Sequence, residues 1–163
     1  MGATIQASPI HYGLYEVHLP VTDLARSIAF YTKLGFRLGH GSESDPGALL
    51  LYETGGTRWM LGLYRVEKIS HRHPAESHVA LRVPEARVDE MIPDLERLGI
   101  EPVHPAHAPL QGRMSEPIVH GWMPAAAVFF RDPDGHLLEL IAELSTVPRP
   151  EAVYQPLSTW RQG

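Results

Sequence analysis

Ala125-Ala126-Ala127-Val128-Phe129-Phe130-Arg131-Asp132-Pro133-Asp134-Gly135-His136-Leu137-Leu138-Glu139-Leu140-Ile141-Ala142 sets two apolar runs on either side of Asp132-Pro133-Asp134-Gly135. Proline presets a turn dihedral and glycine accepts positive φ, so the stretch reads as a tight antiparallel hairpin with two buried arms. Glu139 stands among Leu137, Leu138, Leu140 and Ile141. A carboxylate in such company has to be neutralised, hydrogen-bonded or bound to a cation.

Upstream of the hairpin the chain shows one pattern twice. Residues 1–13 read as an N-terminal arm. From Leu14 to Val21, Tyr15, Val17, Leu19 and Val21 alternate with Glu16, His18 and Pro20, a period of two that puts Glu16 and His18 together on one face of a strand. Thr22 or Asp23 can cap a helix in which Leu24, Ile28, Tyr31 and Leu34 recur at helical spacing until Gly35. Strands are expected at Phe36–His40, Ala48–Tyr52 and Arg58–Val66, which closes a first module at 14–66.

A polar linker, 67–76, contains His71 and His73, read as residues of a solvated turn. The second module, 77–143, repeats the order. A strand over Ser77–Val83 begins with His78, and a helix from about Glu85 to Leu98 ends at Gly99, with Pro93 marking a place for a kink. A short strand near Glu101–His104 precedes Pro105–Pro124, a segment too long for an ordinary connector and read as a lid or pocket wall that holds the loop histidine His107. The hairpin completes the module. Residues 144–163 read as a C-terminal arm, anchored by Trp160, lying on the body or on a partner subunit. Two strand–helix–three-strand modules, each with an apolar face of sheet, would bury those faces against one another and enclose a cleft within one domain.

Composition narrows the partners. The 163 residues are 44% hydrophobic and 20% charged, with a net charge of −5, so neither nucleic acid nor an anionic membrane surface is expected. No apolar run approaches the ~18 residues of a membrane helix and no basic-then-apolar leader is visible, so a cytoplasmic location is expected. Without cysteine there is no disulfide and no thiolate ligand, and any metal would rest on nitrogen and oxygen donors, for which ten histidines are at hand.

The repeat, the segment His18-Leu19-Pro20-Val21-Thr22-Asp23-Leu24-Ala25-Arg26-Ser27-Ile28-Ala29-Phe30-Tyr31 and the segment from Phe130 to Leu140 together resemble the vicinal oxygen chelate superfamily. This is the group of glyoxalase I, fosfomycin-resistance proteins, extradiol dioxygenases and bleomycin-resistance proteins. The resemblance implies an α+β fold of two paired βαβββ modules whose curled mixed sheets enclose a metal-binding cleft, paired within one chain or across a homodimer. It also implies a divalent metal ion (Zn, Ni, Mn or Fe) with ligands from the first strand of each module and the last strand of the second. On that basis His78 and Glu139 match two ligands. The third falls to Glu16 or His18: register against Val21 and Val83 favours Glu16, and ligand chemistry favours His18, while the other of the two would serve as base or support. Glyoxalase I has a further glutamate where this chain aligns Gly62, so that ligand is missing; Gly62 is equally a sheet position that needs space.

Met60 and Tyr64 flank Gly62 on its face and, with His120 and Trp122, are the candidates for contact with substrate. The expected function is a divalent-metal-dependent enzyme of the glyoxalase-like type acting on a small oxygen-chelating substrate by lyase, isomerase or thiol-addition chemistry, with Glu16 or His18 in acid–base work. A ferrous extradiol-type dioxygenase is the second expectation. A non-enzymatic, drug-sequestering protein of the bleomycin-resistance kind is the third, using Trp59, Trp122 and the tyrosines.

Overall fold

The computed structural model describes residues 15–55, 57–69, 77–105 and 110–163 and divides into two compact units, Met1–Glu67 and Lys68–Gly163. The N-terminal arm and three histidines named above (His71, His73 and His107) lie outside the described residues.

In the first unit β1 (Glu16–Val21), α1 (Leu24–Lys33), β2 (Arg37–His40), β3 (Gly47–Thr54) and β4 (Thr57–Arg65) follow in order. The sheet runs β1-β4-β3-β2, with β1 parallel to β4 and the other pairs antiparallel. Strand alternation sends Leu19, Val21, Ala48, Leu50, Leu61 and Leu63 to one face, where all are buried; α1 packs on this sheet with buried Leu24 and Tyr31. The opposite face receives Glu16, His18, Met60, Gly62 and Tyr64.

In the second unit β5 (His78–Arg82) is followed by a 3₁₀ helix over Glu85–Glu90, α2 (Met91–Arg97), β6 (Ile118–His120), β7 (Ala125–Arg131), β8 (Leu137–Glu143), β9 (Gln155–Pro156) and α3 (Leu157–Trp160). Strand order is β5-β8-β7-β6-β9, with β5 parallel to β8, so its first four strands repeat the order of the first unit. Both sheets are mixed, and the fold is α+β.

The Leu-Gly pairs that mark the repeat do the same physical work in each unit. Gly35 takes φ 94° and Gly99 φ 73°. Behind α1, Gly35 N–H donates to Thr32 O and Phe36 N–H to Tyr31 O; behind α2, Gly99 N–H donates to Glu96 O and Ile100 N–H to Leu95 O. Each is a Schellman closure, with a buried Phe36 or Ile100 next in the chain. At the front of α1, Asp23 Oδ1 accepts from Arg26 N–H at 3.0 Å.

Three local expectations are refined. The single helix expected over Glu85–Leu98 is a 3₁₀ helix followed by α2, and Pro93 falls in the first turn of α2, where backbone N–H groups have no intrahelical acceptor to lose. The strand expected near Glu101–His104 is reduced to isolated bridges, Pro102 with Phe130 and Val103 with Arg113. The strand beside β7 lies instead inside the expected lid segment, as β6. The hairpin turn is a five-residue loop, Asp132–His136, between Arg131 and its β8 partner Leu137. Asp132 Oδ1 holds it by accepting from Asp134 N–H at 3.0 Å and His136 N–H at 2.9 Å, and Gly135 supplies the positive φ of 88°.

Candidate functional site

In the second unit the register of β5 on β8 pairs His78 with Leu137 and Ala80 with Glu139, so His78 and Glu139 share a face. His78 Nε2 lies 3.0 Å from Glu139 Oε2. Across β7, where Phe129 pairs with Glu139, His120 of β6 brings Nε2 to 3.8 Å from Glu139 Oε1. That is an ion-pair distance and too long for a hydrogen bond. The Phe129 ring sits beside both imidazoles, its centroid 6.1 Å from that of His78 and 6.4 Å from that of His120.

The Glu139 side chain is 7% exposed and that of His78 39%. Burial pushes the Glu139 pKa up, but the nearby His120 and the hydrogen-bonded His78 outweigh it and hold the carboxyl below its ordinary value. Oε1 is buried and, among the described residues, has no hydrogen-bond partner. An orphaned carboxylate oxygen costs on the order of 1–3 kcal/mol, more when charged.

In the first unit Glu16 Oε1 lies 2.7 Å from His18 Nε2, on the face opposite α1. The His18 ring leans on Tyr64, with centroids 4.9 Å apart. Across the β1–β4 pairing, His18 faces Gly62. A Cβ at that glycine would stand 2.6 Å from His18 Cδ2, so the absent side chain is the room in which the imidazole lies. Met60 pairs with Glu16 on the same face, and Tyr64 is 44% exposed. Trp122, in the turn between β6 and β7, is 66% exposed.

The C-terminal segment supplies a residue that sequence reasoning missed. Arg149 N–H donates to Gly121 O at 2.9 Å and Gly121 N–H to Ala152 O at 3.1 Å; a Cβ on Gly121 would run into the carbonyl oxygens of Arg149 and Ala152. Farther on, β9 pairs with β6, Leu157 and Trp160 are buried, and Arg149 lies 3.4 Å over the Trp160 ring. Between these fasteners Tyr154 takes φ 56°. For a tyrosine this left-handed conformation costs about 1 kcal/mol or more.

The Tyr154 ring lies 6.1 Å from His120 and 6.2 Å from His104, centroid to centroid. Burial, and then the negative charge of Glu139, push its pKa well above the ordinary phenol range. Burial also lowers the pKa of His104. Tyr154 sits in a proline-broken stretch with no periodicity, so no pattern in the sequence singles it out.

A family profile described as the glyoxalase/bleomycin resistance protein/dioxygenase superfamily matches residues 11–140. The chain belongs to this superfamily. Similar solved structures include an integron cassette protein from the mobile metagenome of a Halifax Harbour sewage outfall, at 28% identity and TM-score 0.61, covering 80% of this chain and 97% of that one. A lactoylglutathione lyase from Agrobacterium tumefaciens follows at 20% and 0.58, covering 82% and 96%. The fosfomycin resistance protein FosX from Listeria monocytogenes aligns at 22% and 0.56, covering 83% and 97%. Among curated proteins none matches.

Members of the superfamily commonly use divalent metals, bind small-molecule substrates and often form dimers. The donors present suit such an ion: an imidazole nitrogen of His78 beside a carboxylate of Glu139 that has one oxygen unclaimed. Among the described residues there is no group of three or more His, Asp or Glu that could hold a metal ion. No helix of the described residues is long and apolar enough to cross a membrane.

Proposed function

We propose that this member of the superfamily is a divalent-metal-dependent enzyme of the glyoxalase-like type, acting on a small substrate that presents two neighbouring oxygens. His78 and Glu139 hold the ion. The observation that carries this reading is the Glu139 carboxylate, buried in an apolar strand with one oxygen against His78 and the other without a partner. His78 and His120 keep the carboxylate in its charged form, and a cation bound there would engage the oxygen that has no hydrogen bond. When bound, the ion supplies Lewis-acid polarisation of a substrate oxygen and stabilises negative charge that develops on it.

The chain's own contribution is proton transfer and orientation. Glu16 engages His18 Nε2, which fixes the imidazole, and the family resemblance gives one of the two the part of a base. A carboxylate–imidazole pair also supports a metal ligand, so Glu16 and His18 remain alternatives for a further ligand role, a role that rests on the family resemblance alone. With Gly62 in place of a glutamate, a four-ligand glyoxalase I site is disfavoured. Open positions suit lyase, isomerase or thiol-addition chemistry on an oxygen-chelating substrate.

A second reading, a ferrous extradiol-type dioxygenase, draws support from His120, which gives Glu139 a histidine neighbour on each oxygen. Calorimetric titration of chelator-treated protein with zinc, nickel, manganese and anaerobic ferrous iron tests the proposal. Saturable binding near one ion per chain, weakened at least ten-fold by His78→Ala, is expected; no binding of any of the four ions contradicts it. Oxygen uptake with catechols by the iron-loaded protein alone would select the second reading.

A further inference from the structure

We propose that Tyr154 is a ligand-orienting residue of the Glu139 site, its hydroxyl donating a hydrogen bond to an oxygen of the small oxygen-bearing ligand that binds there. The inference rests on the reading of Glu139 as the ligand-binding centre and adds a residue from the C-terminal segment, outside the repeated modules.

Several independent observations converge on Tyr154. It is the only non-glycine residue at positive φ among the described residues, so its backbone is held off the relaxed conformation. Its Oη is buried and has no hydrogen-bond partner among the described residues, and the same holds for Glu139 Oε1 and His104 Nδ1. Buried polar atoms are seldom left unpaired; of those without a partner among the described residues, Tyr154 Oη and His104 Nδ1 belong to rings in contact, and Glu139 Oε1 lies on the far side of His120, which touches Tyr154. The ring contacts place the phenol beside His120, whose Nε2 is 3.8 Å from that same Glu139 oxygen.

The flanking chain is built to hold this arrangement. The clamp on Gly121 precedes Tyr154 and β9 follows it at once, so the strained residue is pinned at both ends. A tyrosine that served only as packing would sit in a relaxed conformation with its hydroxyl in water or on a partner. Tyr154 as a whole is only half-buried, so its side chain can turn to admit a ligand oxygen while the pinned backbone stays in place. A ligand whose oxygen accepts from Oη supplies the partner that the free chain lacks.

The test compares wild type with Tyr154→Phe, which removes the hydroxyl alone. The probes are manganese ion by itself and then acetohydroxamate, a chelator with two adjacent oxygens, titrated into manganese-loaded protein. We expect manganese affinity within two-fold of wild type, acetohydroxamate affinity lowered about ten-fold, and a melting temperature equal to or above that of wild type. Equal acetohydroxamate affinity overturns the proposal, as does a parallel loss of manganese affinity or of thermal stability. If wild type takes up no manganese, the metal reading fails by itself, and acetohydroxamate is titrated into the metal-free proteins. Weaker binding by Tyr154→Phe then upholds the role of Tyr154; equal binding, or none by either protein, overturns it.

Discussion

Gly62 stands opposite His18 in the β1–β4 pairing, and a methyl group on it would come within 2.6 Å of the imidazole. The atom in the way is the far end of a side chain, so the imidazole can swing aside at little cost to the fold. Gly62→Ala should therefore change stability by less than about 1 kcal/mol while breaking the 2.7 Å contact between His18 and Glu16. Histidine NMR resolves the two effects. A shifted His18 resonance with an unchanged urea midpoint is expected, and an unmoved resonance would show that the ring needs no such space.

Gly121 poses the opposite case, because the atoms a Cβ would meet are backbone carbonyl oxygens of Arg149 and Ala152. Those groups cannot rotate away without releasing the C-terminal segment. Gly121→Ala should cost about 1–3 kcal/mol by overpacking. It should also make the chain between Arg149 and Tyr154 open to limited proteolysis, which mass mapping of the first cleavage products would read.

The two helix closures offer a matched pair. Gly99 has open space around its missing Cβ, so Gly99→Ala should register left-handed backbone strain alone, about 1 kcal/mol. Gly35→Ala should cost at least as much, since its φ of 94° lies farther from the left-handed helical well than the 73° of Gly99. Urea unfolding of both variants checks the ranking.

Acid should act through Glu139 in the metal-free protein. Burial raises its pKa, the contacts with His120 and His78 lower it by more, and the net value lies below the reference 4.5. A carboxyl depressed on folding adds stability that is complete above its unfolded pKa and is lost as pH falls through the folded one. The unfolding free energy of wild type minus that of Glu139→Gln should accordingly shrink between about pH 6 and about pH 3. A difference that grows towards acid would mean that the folded carboxyl is raised.

Much of this arrangement is legible in the sequence. Alternation in Leu14–Val21 and the apolar arms around Asp132–Gly135 locate β1, β7 and β8, and the repeated Leu-Gly pairs mark both Schellman closures, because these features act through local dihedrals and strand period. The His78–Glu139 contact follows from one parallel register. Three features were hidden for physical reasons. β6 has only three residues and borrows its pairing from β7, so no periodicity announces it. Gly62 reads as a missing ligand until the neighbouring strand shows the ring that it accommodates. Tyr154 owes its place to contacts with Gly121 and β6, more than thirty residues earlier, which no local pattern encodes.

The central claim is that Glu139 stays charged in an apolar strand in order to hold a cation. Elemental analysis of untagged protein, purified after metal supplementation, measures this directly in wild type and Glu139→Gln. The account predicts close to one divalent ion per chain in wild type and little or none in the variant, with both proteins folded by circular dichroism. A wild type without bound metal, or a variant that carries as much as wild type, would contradict it.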